Sequence, residues 1–184
     1  SDTLIITSGD TMIVTGALTL TNGEVSTGTI EAQGAVNIGD SFNQGNAAIT
    51  LSGANAQTIT LTSDSFPTGT LTVNKSSNTA TTSGTLTLAG ALTIQEGTFS
   101  LGGNTNFNGG ITVENGGTLS CTTGGTTITI DDADTVTVNA GGNLTLTGAA
   151  LNLIVLRSDT TAPWSLVMNG AYDIDYVNVS YSDA

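Results

Sequence analysis

The stretch Gly16–Gly28, GALTLTNGEVSTG, recurs at Gly90–Gly102 as GALTIQEGTFSLG. Seven of the thirteen positions are identical, and Leu20 is matched by the similar Ile94. Within each copy apolar residues alternate with polar ones, which is the pattern of a strand with one apolar face. Strands this short cannot bury that face alone, so their repetition predicts coils that stack on one another.

The same alternation continues along the chain, with turn-forming pairs such as Asn22-Gly23 and Gly116-Gly117 between the segments. No stretch of useful length carries the 3.6-residue period of a helix. An immunoglobulin-like sandwich would have longer strands and a large aromatic core, whereas only 4% of this chain is aromatic. We therefore predict an all-β fold, a single-stack β-solenoid in the form of a right-handed parallel β-helix, with roughly eight short coils.

The charge of the chain limits its partners. Fifteen acidic and two basic residues give a net charge of −13, so the basic surface of a nucleic-acid binder is missing. An anionic membrane surface would repel the chain. The longest apolar run, Leu151–Leu156, has the length of a strand, and no membrane span is predicted.

Catalytic residues are scarce. The chain has no His and one Cys, which excludes imidazole bases, Ser-His-Asp triads and the usual zinc ligands. Lys75 and Arg157 are the only cations, too few for a polysaccharide lyase. A glycosidase carboxylate pair stays open, but we predict that the chain is not an enzyme. Cys121 is in phase with Leu119, which predicts a buried thiol.

Calcium is the predicted cofactor, because it prefers the oxygen ligands that an acidic chain supplies. The densest source is Asp131, Asp132 and Asp134, in a turn between two predicted strands. Asp173 and Asp175 form a second source on one face of a strand. A solvated acidic turn without a bound ion is the alternative at Asp131–Asp134.

The chain divides into a solenoid body, residues 1–150, and a distinct C-terminal coil, residues 151–184. Four of the eight aromatic residues lie in the C-terminal coil. Its segment Asp173–Tyr181 is predicted to be one long strand with Tyr and Asp on one face. The coil is either a cap on the open end of the solenoid or a docking surface for another subunit. The predicted interface residues are Trp164, Tyr172, Tyr176 and Tyr181, with Asp2 and Asp183 at the two ends.

Three segments resemble repeats of large secreted bacterial surface proteins. They are Ala48–Ile59, with a Gln-Thr-Ile turn, Phe66–Ser76, with a Leu-Thr-Val-Asn strand, and Tyr176–Ala184. The resemblance implies export, a β-solenoid fold and a role in adhesion or in the extracellular matrix. Similar short β-solenoid subunits form biofilm matrix fibres, which calcium often strengthens. In keeping with export, we interpret the start at Ser1 as that of a mature chain without its leader.

These observations predict an extracellular structural subunit that polymerises head-to-tail with copies of itself in a biofilm matrix or surface filament. One alternative is a cell-surface adhesin or carbohydrate-binding solenoid, for which Trp164 and the tyrosines are the candidate contacts and extracellular polysaccharide the partner. Another is an ice-binding solenoid. Its candidate Thr-x-Thr pairs are Thr58 and Thr60, Thr127 and Thr129, and Thr135 and Thr137.

Overall fold

The computed structural model describes residues 2–62 and 66–183, which form 21 strands and no helix. Every pairing between named strands is parallel. The strands lie on three sides of a spiral, which we name A, B and C in chain order. The predicted all-β solenoid of about eight coils is confirmed, whereas its handedness stays a prediction.

Side A carries nine strand segments. They are β2 (Thr11–Val14), β4 (Thr29–Ala32), β6 (Ala48–Leu51), the first part of β8 (Leu71–Ser83), the first part of β10 (Leu92–Ser100), β12 (Ile111–Val113), β15 (Thr135–Val138), β18 (Trp164–Met168) and β21 (Ser182–Asp183).

Side B carries eight strand segments, and β8 and β10 bend around the corner from side A to reach it. They are the first part of β3 (Leu18–Ser26), the first part of β5 (Val36–Phe42), β7 (Gln57–Leu61), the second parts of β8 and β10, β13 (Gly117–Cys121), β16 (Asn143–Thr147) and β19 (Ala171–Asp175).

Side C starts one strand before the other two sides. Its strands are β1 (Thr3–Ile5), the second parts of β3 and β5, β9 (Leu86–Leu88), β11 (Thr105–Phe107), β14 (Thr127–Ile130), β17 (Ile154–Ser158) and β20 (Val177–Ser180). Between β5 and β9, residues near Gln44 and Thr68 continue this side by backbone hydrogen bonds to the coil before them.

Apolar side chains stack in columns inside the spiral. On side B, Leu18 pairs with Val36 and Val36 pairs with Ile59, and all three are buried. Because successive residues of a strand point to opposite faces, their polar neighbours point outward. A slip of one residue between coils would bring polar side chains into the core, so the alternation also determines the register.

The interior is narrow and apolar. All four phenylalanines are buried, and Cys121 points inward on side B as predicted. In the described part of the chain, every buried side-chain nitrogen or oxygen has a hydrogen-bond partner. That part also contains no long apolar helix of the kind that crosses a membrane.

Coils differ in length at the corners and not along the sides. The shortest steps between paired strands on side A run from Thr11 to Thr29 and from Trp164 to Ser182, and the longest runs from Thr135 to Ser165. At one corner Gly45 has φ +85°, and a Cβ there would lie 2.0 Å from the carbonyl oxygen of Val25. Only glycine allows this close approach, so the corner packs directly on the preceding coil.

The two copies of the repeated motif occupy different sides. Leu18 and Leu20 lie on side B in β3, whereas Leu92 and Ile94 lie on side A in β10. Each copy bends at its central glycine, and the corner that it turns is B to C in β3 but A to B in β10. The same sequence therefore fits two different corners of the spiral.

One predicted element is wrong. Asp173–Tyr181 is not one strand but two, β19 on side B and β20 on side C. The break is at Tyr176, whose φ of 53° turns the chain and whose carbonyl accepts a hydrogen bond of 3.1 Å from the Ile154 amide. The strand ends because the chain must turn a corner of the spiral to stay on the preceding coil.

The buried columns predict a clear difference between inward and outward substitutions. Phe99→Ala removes a fully buried ring from β10, so we expect a loss of about 3–5 kcal/mol in the free energy of unfolding. The neighbouring Thr98→Ala changes a half-buried outward side chain and should cost about 0.5 kcal/mol or less. Urea unfolding followed by circular dichroism measures both. Equal effects would contradict the inward assignment.

Candidate functional site

The acidic turn lies between β14 and β15, and its carboxylates separate into two groups. The Asp134 carboxylate accepts a hydrogen bond of 2.8 Å from the Gly110 amide on the preceding coil. Asp131 accepts one of 3.2 Å from the Ala133 amide within the turn. Asp134 therefore joins two coils and lies outside the acidic cluster described next.

The cluster consists of Asp131, Asp132 and Asp159. One carboxylate oxygen from each lies within 4.8 Å of the others. The Asp132 amide donates to Asp159 Oδ1 at 3.0 Å, and Thr160 Oγ1 donates to Asp132 Oδ2 at 2.7 Å. Oxygen ligands at this spacing suit calcium. Some of these oxygens already accept hydrogen bonds from the protein's own amide and hydroxyl groups.

No sequence pattern predicted Asp159 as a member of this cluster. It follows β17 and is 27 residues from Asp132, so only the stacking of coils brings the two together. In the sequence Asp159 is an isolated acid after a strand of the following coil. No local motif marks it as a candidate metal ligand. The other predicted pair, Asp173 and Asp175, lies exposed on β19 of side B, apart from this cluster on side C.

The predicted interface residues lie in different environments. Trp164 is 1% exposed, and its indole nitrogen donates to the Ser180 carbonyl at 3.4 Å, so it belongs to the core. Tyr172, Tyr176 and Tyr181 are exposed in the last coil. Asp183 lies there as well, whereas Asp2 lies at the opposite end of the spiral.

Exposed apolar side chains concentrate at the two ends. Nine of the eleven large ones in the described residues lie in the first or last coil, and Leu151 and Leu153 are the others. They are Leu4, Ile5, Ile13, Val167, Tyr172, Ile174, Tyr176, Val179 and Tyr181. Among the described residues, no segment covers either end, so both terminal coils present open strand edges.

A groove of about 390 Å³ opens at the N-terminal end. Thr19, Leu20 and Thr21 of β3 form one wall, and β1 forms the other. Leu18 donates its amide to Ala35 in the following coil, so the backbone groups of Thr19 and Thr21 face the groove. The groove is thus an open strand edge with an apolar floor.

Lys75 is the one buried cation in the described residues. Its Nζ donates to the carbonyls of Gly53 and Asn55, at 3.2 and 2.7 Å, and to Gln57 Oε1 at 2.8 Å. Burial lowers the pKa of this ammonium below its ordinary value. None of these partners is a carboxylate, so Lys75 forms no ion pair with them. Its hydrogen bonds join the turn at Gly53 and Asn55 to the next coil.

Hydroxyl groups form regular columns on the outer surface. On side A, Thr50, Thr72, Thr93, Thr112 and Thr137 follow one another in register. The irregular coil lengths therefore do not disrupt the stacking on this side. β-propensity alone accounts for such threonines, and the ice-binding and carbohydrate-binding alternatives stay predictions.

One carboxylate on side A has a shifted pKa. Glu31 accepts hydrogen bonds from Gln33 Nε2 at 3.0 Å and from Ser52 Oγ at 2.8 Å. Both bonds favour the ionised form and lower the pKa of this carboxyl group. An acid held in its ionised form is a poor proton donor, so Glu31 does not resemble a general acid.

Comparison with protein-family models, with curated proteins and with solved structures found no match to this chain.

The contacts of Lys75 predict its contribution to stability. Lys75→Met keeps the aliphatic stem but leaves three acceptors without their donor, so we expect a loss of about 1–3 kcal/mol in the free energy of unfolding. Arg157→Met is the matched control, since Arg157 is exposed, and it should change stability by about 0.5 kcal/mol or less. Denaturant unfolding distinguishes the two. An unchanged Lys75→Met variant would mean that the hydrogen bonds only offset the cost of burial.

Proposed function

We propose that this chain is a structural subunit of an extracellular fibre that stacks head-to-tail with copies of itself. The observation that supports this most directly is the concentration of exposed apolar side chains and open strand edges at the two ends. Between the first and last coils, only Leu151 and Leu153 are exposed among the described large apolar residues. An end-to-end contact joins two different surfaces and does not close, so it produces a filament.

Burial at the junction supplies the driving force. Tyr172 and Ile174 pair with the buried Leu144 and Leu146, so both point toward the interior while remaining exposed. At the other end Leu4 pairs with the buried Val25 in the same way. Covering one such side chain with another coil stabilises the assembly by about 1.5–3 kcal/mol.

A biofilm matrix or a surface filament is the setting that we propose for the fibre. The resemblance to secreted bacterial surface repeats supports it, as does a composition with few charged residues and a single thiol. Extracellular polysaccharide is a further proposed partner, and an adhesin is the alternative within the same class. The absence of His from the sequence argues against imidazole-based catalysis.

Calcium is the proposed stabilising cofactor. Copies with a net charge of −13 repel one another, and a divalent cation reduces that repulsion. Asp131, Asp132 and Asp159 each offer one carboxylate oxygen, and these oxygens lie within 4.8 Å of one another. Asp173 and Asp175 offer carboxylates near the C-terminal junction.

The filament proposal predicts that a charge at the end prevents assembly. In Ile174→Lys, an ammonium replaces an apolar side chain at the open C-terminal coil, so we expect filaments to be lost. Negative-stain electron microscopy and size-exclusion chromatography with light scattering measure this. The matched control is Leu151→Lys, which changes an exposed leucine in the loop between β16 and β17, one coil before the last, and should assemble like the native chain. A native protein that stays monomeric with and without calcium would refute the proposal.

The calcium proposal predicts a metal-dependent melting temperature. Binding to the folded state raises Tm by about 2–4 °C for each kcal/mol of binding free energy, and chelator removes the increase. Asp159→Asn should abolish the response by removing one ligand of the cluster. Asp40→Asn, a neutralised carboxylate outside the cluster, should retain it. Identical melting curves in calcium and in excess chelator would refute calcium as a stabilising cofactor.

A further inference from the structure

Two polar side chains occupy inward positions that the alternation of this fold mostly fills with apolar residues. Lys75 follows Val73 in the inward phase of β8, and Gln57 precedes Ile59 in the inward phase of β7. Lys75 is fully buried, and Gln57 is 2% exposed. The two residues are 18 positions apart in the sequence but lie on neighbouring coils, with 2.8 Å between Lys75 Nζ and Gln57 Oε1. The fold therefore holds an amine against a carboxamide in a site closed to solvent.

We propose that Lys75 and Gln57 join covalently, in an isopeptide bond between Lys75 Nζ and Gln57 Cδ that releases ammonia. The bond links β8 to β7 and makes the contact between these two coils permanent. This inference goes beyond the proposed fibre and does not depend on it, because both residues lie within one chain and away from the ends of the solenoid.

The reaction balances without a co-reactant. In its neutral form the Lys75 amine attacks the carbonyl carbon of Gln57 with its lone pair, and a tetrahedral intermediate forms. When the carbonyl group forms again, the bond between Cδ and Nε2 breaks. A proton passes from Nζ to Nε2, and the nitrogen leaves as ammonia. One amide replaces another, so the exchange consumes no oxidant, reductant or energy source.

The surroundings of Lys75 favour the nucleophilic form of its amine. An amine attacks a carbonyl carbon only when it is deprotonated, and desolvation is one way in which proteins activate a lysine. Burial lowers the pKa of Lys75 and so increases the neutral fraction. The hydrogen-bond partners of Nζ are the oxygens of Gly53, Asn55 and Gln57, and none of them is a carboxylate that would stabilise the charged form.

The carboxamide of Gln57 is fixed in position by its other end. Gln57 Nε2 donates hydrogen bonds to the carbonyls of Ala32 and Gly34 on the preceding coil, at 2.7 and 2.9 Å. These bonds keep Oε1 directed at Lys75, and the same carbonyls accept the protons of the departing ammonia. Groups held in this way react as if highly concentrated, with effective molarities of about 10⁵–10⁸ M in well-oriented intramolecular reactions.

The site determines the speed of the reaction as well as its product. Burial keeps water from the carbonyl carbon of Gln57, so hydrolysis does not compete with the attack of the amine. The partners of Lys75 Nζ are weak bases, so proton transfer receives little assistance. We therefore expect the bond to accumulate slowly in the folded protein.

A covalent link between coils changes how a solenoid resists unfolding. Each coil contacts only its neighbours, so a solenoid can open one coil at a time by breaking hydrogen bonds and apolar contacts. The bond from Lys75 to Gln57 closes a loop across β7 and β8 that no separation of coils can open. It therefore protects the body of the solenoid against stepwise opening.

Mass spectrometry of the native chain tests the bond. Loss of ammonia lowers the intact mass by about 17 Da. Trypsin gives a second measurement, because Lys75 and Arg157 are the only cleavage sites and an acylated lysine is not cleaved. After denaturation the unlinked chain yields fragments 1–75, 76–157 and 158–184, whereas the linked chain yields 1–157 and 158–184.

We expect the linked products to accumulate in folded protein and not in protein kept in urea, where Lys75 and Gln57 are apart. The rate should increase about tenfold for each unit of pH, as long as the pH stays below the pKa of Lys75, because only the neutral amine reacts. Tandem mass spectrometry of fragment 1–157 locates the branch at Lys75 and Gln57.

Two variants serve as controls. Lys75→Arg keeps a positive charge and hydrogen-bond donors but stays protonated, so its mass should not change with time. Gln57→Met removes the carboxamide instead and gives the same result without altering Lys75. A succinimide at an Asn-Gly pair such as Asn115-Gly116 lowers the mass equally, but it persists in both variants.

The native chain decides the question even if a variant fails to fold. Native protein that keeps its full mass and its three tryptic fragments after several weeks at alkaline pH overturns the inference. Lys75 and Gln57 then share a hydrogen bond and no covalent bond. A mass loss that persists in both variants overturns it as well.

Discussion

Strands throughout this protein have one apolar face that only another coil can cover. The register that results places Leu18, Val36 and Ile59 in one column and leaves most threonines outside. All other variation is confined to the corners, where steps as different as Thr11 to Thr29 and Thr135 to Ser165 are accommodated. The number of residues in a coil can vary, because a corner of any length is sufficient if it returns the chain to the next position in the column.

The same constraint is unsatisfied at the two ends. Tyr172, Ile174 and Leu4 occupy inward positions without a coil to cover them. A solenoid has no face that can fold over its own end, so cover must come from another segment or another molecule. In the filament that we propose, one contact between copies covers both ends.

Polar chemistry in this fold serves mainly to join coils. Asp134 binds the amide of Gly110, Lys75 binds carbonyls of the preceding coil, and Asp159 approaches Asp132 from the following one. Each contact spans roughly one coil of sequence. The acidic cluster differs from these joining contacts because it offers a site for a ligand. It places three carboxylates together where solvent and cations can reach them.

The architecture of this protein follows from its sequence pattern alone. Alternation over short segments, punctuated by glycine, was sufficient to predict the all-β fold, the solenoid and the buried Cys121, because these depend on local periodicity. The contacts between coils depend instead on the complete three-dimensional path of the chain. It replaced Asp134 with Asp159 in the acidic cluster, divided Asp173–Tyr181 at Tyr176, buried Trp164 and put two copies of one motif on different sides. These features depend on how many residues each corner contains. The resulting spacing between paired strands is not visible in any local pattern.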